Sequence, residues 1–188
     1  MSRNTVLRTL HDVGLAAWFG GSLMGAVGLN AAAGAVNDPK QRGLVANTGW
    51  DRWTPVNAAA IGAHLVGAAG LLVANRDRVA DQAGVRESSA AKTVLTGLAI
   101  GVTAYSRVLG ARVSKAGDVA VESGAQPNSQ TPAQVADAQR QLSLIQWAIP
   151  GVTGALIAVS ALQGEQQAAE EQLRGRLGKA AKRLTSVG

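Results

Sequence analysis

Two histidines are the side chains in this sequence best suited to hold a metal ion or a haem iron. His11 stands beside Asp12 at the start of a long charge-free run, and His64 lies inside another such run. The chain has no cysteine, which excludes thiolate metal sites. Two histidines that ligate one haem iron must lie at the same depth on facing helices.

The positions of the two histidines along their predicted helices argue against such a pair. His11 falls at the beginning of the first predicted helix, and His64 falls near the middle of the second. At a rise of about 1.5 Å per residue, this separates them by about half the thickness of a bilayer. We therefore predict that His64 hydrogen-bonds to a neighbouring helix as a neutral imidazole. Haem or copper binding through His11 or His64 is the alternative.

Another group of polar side chains falls near the opposite end of the predicted helices, with at least one from each helix: Asn30, Asn57, Tyr105, Arg107 and Gln146. Polar groups in hydrocarbon pair with one another, so we expect Arg107 to find an asparagine or a carboxylate. The favoured interpretation is hydrogen bonding between helices together with a snorkelling arginine. A small polar site that opens outward is the alternative.

The elements that must position these residues follow from the distribution of charge. Three charge-free runs cover 13–37, 54–75 and 141–164, and a shorter one covers 93–106. A membrane-spanning helix needs about 20 apolar residues. We predict an all-α, polytopic membrane protein, because the long runs lack the polar stripe that a soluble alanine-rich four-helix bundle requires. The four predicted spans lie near 13–36, 55–75, 89–112 and 143–163.

The predicted transmembrane domain covers 1–163, and a basic amphipathic tail covers 164–188. Leucines and alanines recur at helical spacing in this tail, which favours a helix on an anionic lipid surface. The basic residues expected to contact lipid are Arg174, Arg176, Lys179, Lys182 and Arg183. Lysine and arginine are more abundant on the side that holds both termini, which predicts a bacterial cytoplasmic membrane protein with cytoplasmic termini.

Two connecting segments are predicted to be irregular. Residues 37–54 are polar and are expected to form a loop over the outer ends of the first two helices, with Trp50 and Trp53 at the membrane interface. Residues 123–134 are polar and interrupted by proline, which predicts a flexible outer loop.

Small residues are spaced for close helix packing on several predicted helices. Gly21 and Gly25 lie one turn apart on the first helix, and Gly97 and Gly101 lie one turn apart on the third. Helices in membranes associate where small side chains let their backbones approach. A single compact four-helix bundle needs fewer such faces of small residues than this sequence offers. We therefore expect some of these faces to contact a partner protein.

His11, Trp18, Gly20 and Gly21 form a pattern in which a histidine opens the first membrane helix. This pattern resembles the start of copper-resistance D-type membrane proteins and of related small, uncharacterised bacterial membrane proteins. A similar first helix occurs in the haem-binding membrane protoporphyrinogen oxidases, and that resemblance implies haem ligation by His11. The bias toward alanine, glycine, valine and arginine resembles that of high-GC actinobacterial proteins.

Recognisable catalytic motifs are missing from the sequence. It contains no glycine-rich phosphate loop, and no acidic residue falls within a predicted span. The net charge of +6 is better explained by a membrane surface than by nucleic acid. We expect a non-catalytic accessory or regulatory subunit of a larger membrane complex: a transporter, including one for lipids, or a respiratory assembly.

The expected partners are membrane lipids and other integral membrane subunits, with no cofactor or metal. A haem- or copper-binding protein is the first alternative function. A protein that binds a small molecule or lipid through the outer polar residues is the second.

Overall fold

The computed structural model describes residues 4–76, 80 and 83–185, with the side chains of all of these except 83 and 166–185. Helix α1 is followed by a five-residue π-helical turn and the short helix α2, and three long helices come after them. In chain order the elements are α1 (Thr5–Met24), the π turn (Gly25–Leu29), α2 (Asn30–Gly34), α3 (Pro39–Ala74), α4 (Ala83–Lys115), β1 (Val121–Ser123), β2 (Gln126–Pro127) and α5 (Ala133–Thr185).

The described chain contains four helical stretches that are long and apolar enough to cross a membrane. They are Thr5–Gly34, Pro39–Ala74, Gly84–Lys115 and Ala133–Glu165. The predicted helical class with four helices of spanning length is therefore confirmed. Each stretch begins before the charge-free run on which its prediction was based.

The prediction of a loop over 37–54 is wrong, because α3 begins at Pro39. The side chain of Asp38 accepts a hydrogen bond from the backbone N–H of Lys40 at 3.0 Å, which caps the new helix. Proline suits the first helical position, since its missing N–H has no partner there in any helix. Asp51 stays exposed on the first turns of α3, so the charge in this segment does not oppose a helix.

Part of the predicted flexible loop is an ordered antiparallel hairpin formed by β1 and β2. Val121 of β1 and Ala125 in the turn between the two strands are buried. The backbone N–H of Gly124 donates to the carbonyl of Asn30 at 3.2 Å, and Gln139 donates to the carbonyl of Ser123 at 3.3 Å. These bonds join the hairpin to α2 and α5, which explains why a polar sequence is held in place.

Helices α1 and α3 touch backbone to backbone. A Cβ at Gly14 would lie 2.5 Å from the carbonyl oxygen of Ala60 and 2.6 Å from the backbone nitrogen of His64. A Cβ at Gly67 would overlap the backbone of His11. Only hydrogen fits at these two positions, so they set the antiparallel register of the two helices.

The four long helices alternate in direction. Thr96 of α4 lies beside His64 of α3, at the level where α1 begins. Thr103, later in α4, accepts a hydrogen bond at 3.2 Å from Trp18, which lies further along α1. Helix α4 therefore runs parallel to α1, and α5 returns antiparallel, with Gln163 beside Lys92. We call the end where α1 begins the N-terminal end and the opposite end the hairpin end.

Helix α5 continues as one helix to Thr185, so no break in the backbone marks the predicted boundary between 163 and 164. The side chains predicted to lie on lipid are outside the described part of the chain: Arg174, Arg176, Lys179, Lys182 and Arg183. Their contact with a membrane surface stays a prediction.

Replacing Gly14 by alanine tests the contact between α1 and α3. The added methyl group would collide with backbone atoms, so we expect the free energy of unfolding to fall by about 1–3 kcal/mol. Gly20→Ala is the matched control on the same helix, because a Cβ there meets nothing within 4 Å. Unfolding is followed by circular dichroism during SDS titration in mixed micelles. Equal stability of the two variants would contradict the contact.

Candidate functional site

A cavity of about 440 Å³ lies at the hairpin end, within the size range of small-molecule sites. All four long helices and the hairpin contribute to its walls. Ile61, Leu142 and Ile149 supply apolar surface. The polar and aromatic side chains in the walls include Asn30, Trp50, Trp53, Asn57, Arg107 and Gln146.

Asn30 is the centre of a buried hydrogen-bond network in one wall of the cavity. Its side-chain oxygen accepts from the indole N–H of Trp50 at 2.9 Å, and its amide nitrogen donates to Gln146 at 2.9 Å. Asn30 is only 6% exposed. A single amide thus joins α2, α3 and α5 at the edge of the cavity.

The π turn before Asn30 helps to place this amide. A π turn accommodates one residue more than an α-helical turn, so it changes the direction in which the following side chains point. Its first residue, Gly25, lies under the ring of Trp50, where a Cβ would overlap the indole. Gly21, one turn earlier, lies under Trp53 in the same way. The two glycines therefore make room for the two indole rings that line the cavity.

Asn57 lines the cavity and carries an unsatisfied polar atom. Its Oδ1 is buried and has no hydrogen-bond partner among the described residues. An unpaired buried carbonyl costs about 1–3 kcal/mol, and such an atom in a native protein calls for an explanation. A bound molecule with an N–H or O–H group would supply the missing donor once the Asn57 amide turns toward the cavity.

The mouth of the cavity carries opposite charges. Arg107 lies 3.6 Å from Asp51, which is the carboxylate partner expected for this arginine. Both side chains are partly exposed, so the pair contributes at most about 1 kcal/mol to stability. Lys115 also lines this region. The apolar interior thus opens to water through a charged rim.

The structure brings together four of the five predicted polar-site residues: Asn30, Asn57, Arg107 and Gln146. Tyr105 is not among the lining residues; it is 45% exposed, and its hydroxyl donates to Gln141. Sequence reasoning placed Trp50 and Trp53 at the membrane interface and missed their position in the cavity wall. The spacing of Gly21 and Gly25 could have indicated the position of these indoles. The loop predicted over 37–54 instead separated the indoles from α1.

The predicted difference in depth between His11 and His64 is wrong, because their ring centroids are 4.4 Å apart. His64 donates from Nδ1 to the carbonyl oxygen of His11 at 3.2 Å, as predicted for a histidine bonded to a neighbouring helix. The Nδ1 of His11 donates to Asp12 at 2.7 Å. The close register set by Gly14 and Gly67, together with the extended starts of α1 and α3, aligns the two rings.

The contact between the rings does not provide a bis-histidine haem site. One iron held by both residues would lie between two opposed ring nitrogens. Here the ring centroids are 4.4 Å apart and the rings are tilted by 44°, which leaves no room for an iron between a nitrogen of each ring. Within the described ranges, no three His, Cys, Asp or Glu side chains are grouped to hold a metal. Haem ligation by His11 alone stays a prediction from the resemblance.

Comparison of the chain with protein-family models, with curated proteins and with solved structures finds no match. The fold and the cavity therefore define its class: a helical protein with four helices of membrane-spanning length around a polar cavity near one end.

Substituting Asn30 by alanine tests the wall of the cavity. The change leaves the Trp50 N–H and the Gln146 oxygen without this partner, so we expect a loss of stability of about 1–3 kcal/mol. Asn47→Ala is the control, since Asn47 also lines the cavity and anchors no hydrogen-bond network of this kind. Thermal unfolding followed by tryptophan fluorescence measures both. A loss as large in the control would show that Asn30 has no special role.

Proposed function

We propose that this protein crosses a bacterial cytoplasmic membrane four times and binds a small amphiphilic molecule in the hairpin-end cavity. The observation that carries the proposal is the buried, unpartnered Oδ1 of Asn57 in the wall of a cavity of about 440 Å³. The four long apolar helices support the membrane location. The excess of lysine and arginine at the N-terminal end supports cytoplasmic termini and an outward-facing hairpin end.

The lining indicates the class of ligand. Trp50, Ile61 and Ile149 offer flat and branched apolar surface, which suits a ring or an acyl chain. Asn57 needs a hydrogen-bond donor, and the pair of Arg107 and Asp51 at the mouth suits a polar head group. An amphiphile with an apolar body and at least one N–H or O–H group matches these three features.

The fluorescent amphiphile 1-aminoanthracene, which carries an amine donor on an apolar ring system, is a suitable probe. We expect saturable binding to the purified protein in detergent, with energy transfer from Trp50 and Trp53. Asn57→Leu removes the acceptor and fills space in the cavity, so we expect binding at least about tenfold weaker.

Asn37→Leu is the control for this substitution, because Asn37 is exposed on the turn between α2 and α3. Its affinity for the probe should equal that of the unmodified protein. If Asn57→Leu also binds the probe with unchanged affinity, the cavity is not the ligand site.

The surface of α4 supports a second candidate function, that of a non-catalytic accessory subunit. A Cβ at Gly97 or Gly101 would meet nothing within 4 Å, and α4 is the least buried of the four candidate spans. Glycines one turn apart let another helix approach closely. We propose that a helix of an integral membrane partner, in a transporter or a respiratory assembly, packs on this face.

Co-purification from the native membrane in mild detergent tests the second function. A stoichiometric integral membrane partner should accompany the unmodified chain and be lost from Gly97→Leu and Gly101→Leu, whose side chains block the approach. Gly62→Leu on α3 is the control, because a Cβ there also meets open space. A partner retained by all three variants, or no partner with the unmodified chain, would rule out this face.

A further inference from the structure

A second pocket, of about 250 Å³, lies at the N-terminal end between α1, α3, α4 and α5. One part of its wall is apolar and comes mainly from Leu65, Ala68 and Leu72 of α3. The other part is polar and includes Arg8, Asn75, Ser89, Lys92, Thr93 and Gln163. The pocket thus combines two cationic side chains with neutral donors next to a hydrocarbon surface.

Lys92 is the central cation of this pocket. Its ammonium group donates to the neutral amide oxygen of Gln163 at 2.6 Å, which occupies one of its three N–H groups. No carboxylate is among the described residues that line the pocket. Asp12, which is nearby on α1, is hydrogen-bonded to His11 and does not line the pocket. Asp12 acts on the charge of Lys92 from α1 but forms no ion pair with it, so two N–H groups of Lys92 remain for an anion.

The position of Lys92 along its helix corresponds to the level of lipid head groups. It is the last charged residue before the charge-free run 93–106 of α4, and Arg8 precedes the run 13–37 of α1. Long basic side chains at such boundaries reach toward the interface. Basic pockets between membrane helices bind the head groups of anionic lipids. The adjacent leucines of α3 continue the pocket toward the acyl-chain region.

We propose that this pocket is a phosphate-binding site in which Lys92, assisted by Arg8, holds either the phosphodiester of an anionic lipid or the phosphate of a soluble molecule. Ser89, one turn before Thr93 on the same helix, supplies a hydroxyl group to the pocket wall, whereas the hydroxyl of Thr93 donates to the carbonyl of Ser89 at 2.9 Å. The site is separate from the hairpin-end cavity, and it does not rest on the function proposed there.

Native mass spectrometry of the full chain tests this site in mixed micelles with equal amounts of phosphatidylcholine and phosphatidylglycerol. The unmodified protein should retain phosphatidylglycerol preferentially. Lys92→Gln should weaken that preference about five- to tenfold, because one cation near a head group is worth about 1 kcal/mol or somewhat more. Lys92→Arg should keep it. Arg8→Gln should also weaken it, and it tests the site independently if Lys92→Gln does not fold.

Arg112→Gln is the charge-matched control, because Arg112 is exposed near the other end of α4 and lines neither cavity. Retention of phosphatidylglycerol in the presence of millimolar inorganic phosphate, against sodium chloride of equal ionic strength, identifies a lipid as the source. Displacement by inorganic phosphate identifies a soluble phosphate compound. An unchanged preference in Lys92→Gln and Arg8→Gln, or an equal loss in Arg112→Gln, would overturn the proposal.

Discussion

The backbone contact between α1 and α3 is the constraint on which the rest of the structure depends. Packing at this contact comes from dispersion between closely fitting surfaces. Gly14 and Gly67 allow this fit because neither has a side chain to separate the helices. The resulting register brings the ring of His11 onto that of His64. It also lays the indoles of α3 against α1 near the hairpin end.

The hairpin-end cavity is a consequence of that register. The two indole rings of α3 lie directly against Gly21 and Gly25 of α1 and line the cavity. Asn30 then connects α2 to Trp50 of α3 and to Gln146 of α5, which stiffens the wall. Asn57, which also lines the cavity, has no donor for its Oδ1 among the described residues. The cavity thus combines a hydrogen-bonded wall with an unsatisfied acceptor on one of its lining residues.

The two ends of the bundle differ in the chemistry that they present. The hairpin end offers amides and indoles behind an exposed ion pair, whereas the N-terminal end offers Lys92 and Arg8 beside leucines. The histidine pair lies among the packed helices near the N-terminal end, and its ring nitrogens bond to the carbonyl of His11 and to Asp12. These imidazoles act here as interhelical and local hydrogen-bond donors, which is the role that polar groups commonly have between membrane helices.

The sequence by itself determined the helical class and the four stretches of spanning length. These follow from where charges are absent, because a charge in hydrocarbon is costly wherever the helix packs. Only the tertiary structure decided the register of α1 against α3, the inward position of Trp50 and the outward face of Tyr105. These depend on the cap at Asp38 and on contacts between distant glycines and backbone atoms, and no pattern within one helix encodes which residue of another helix it will face.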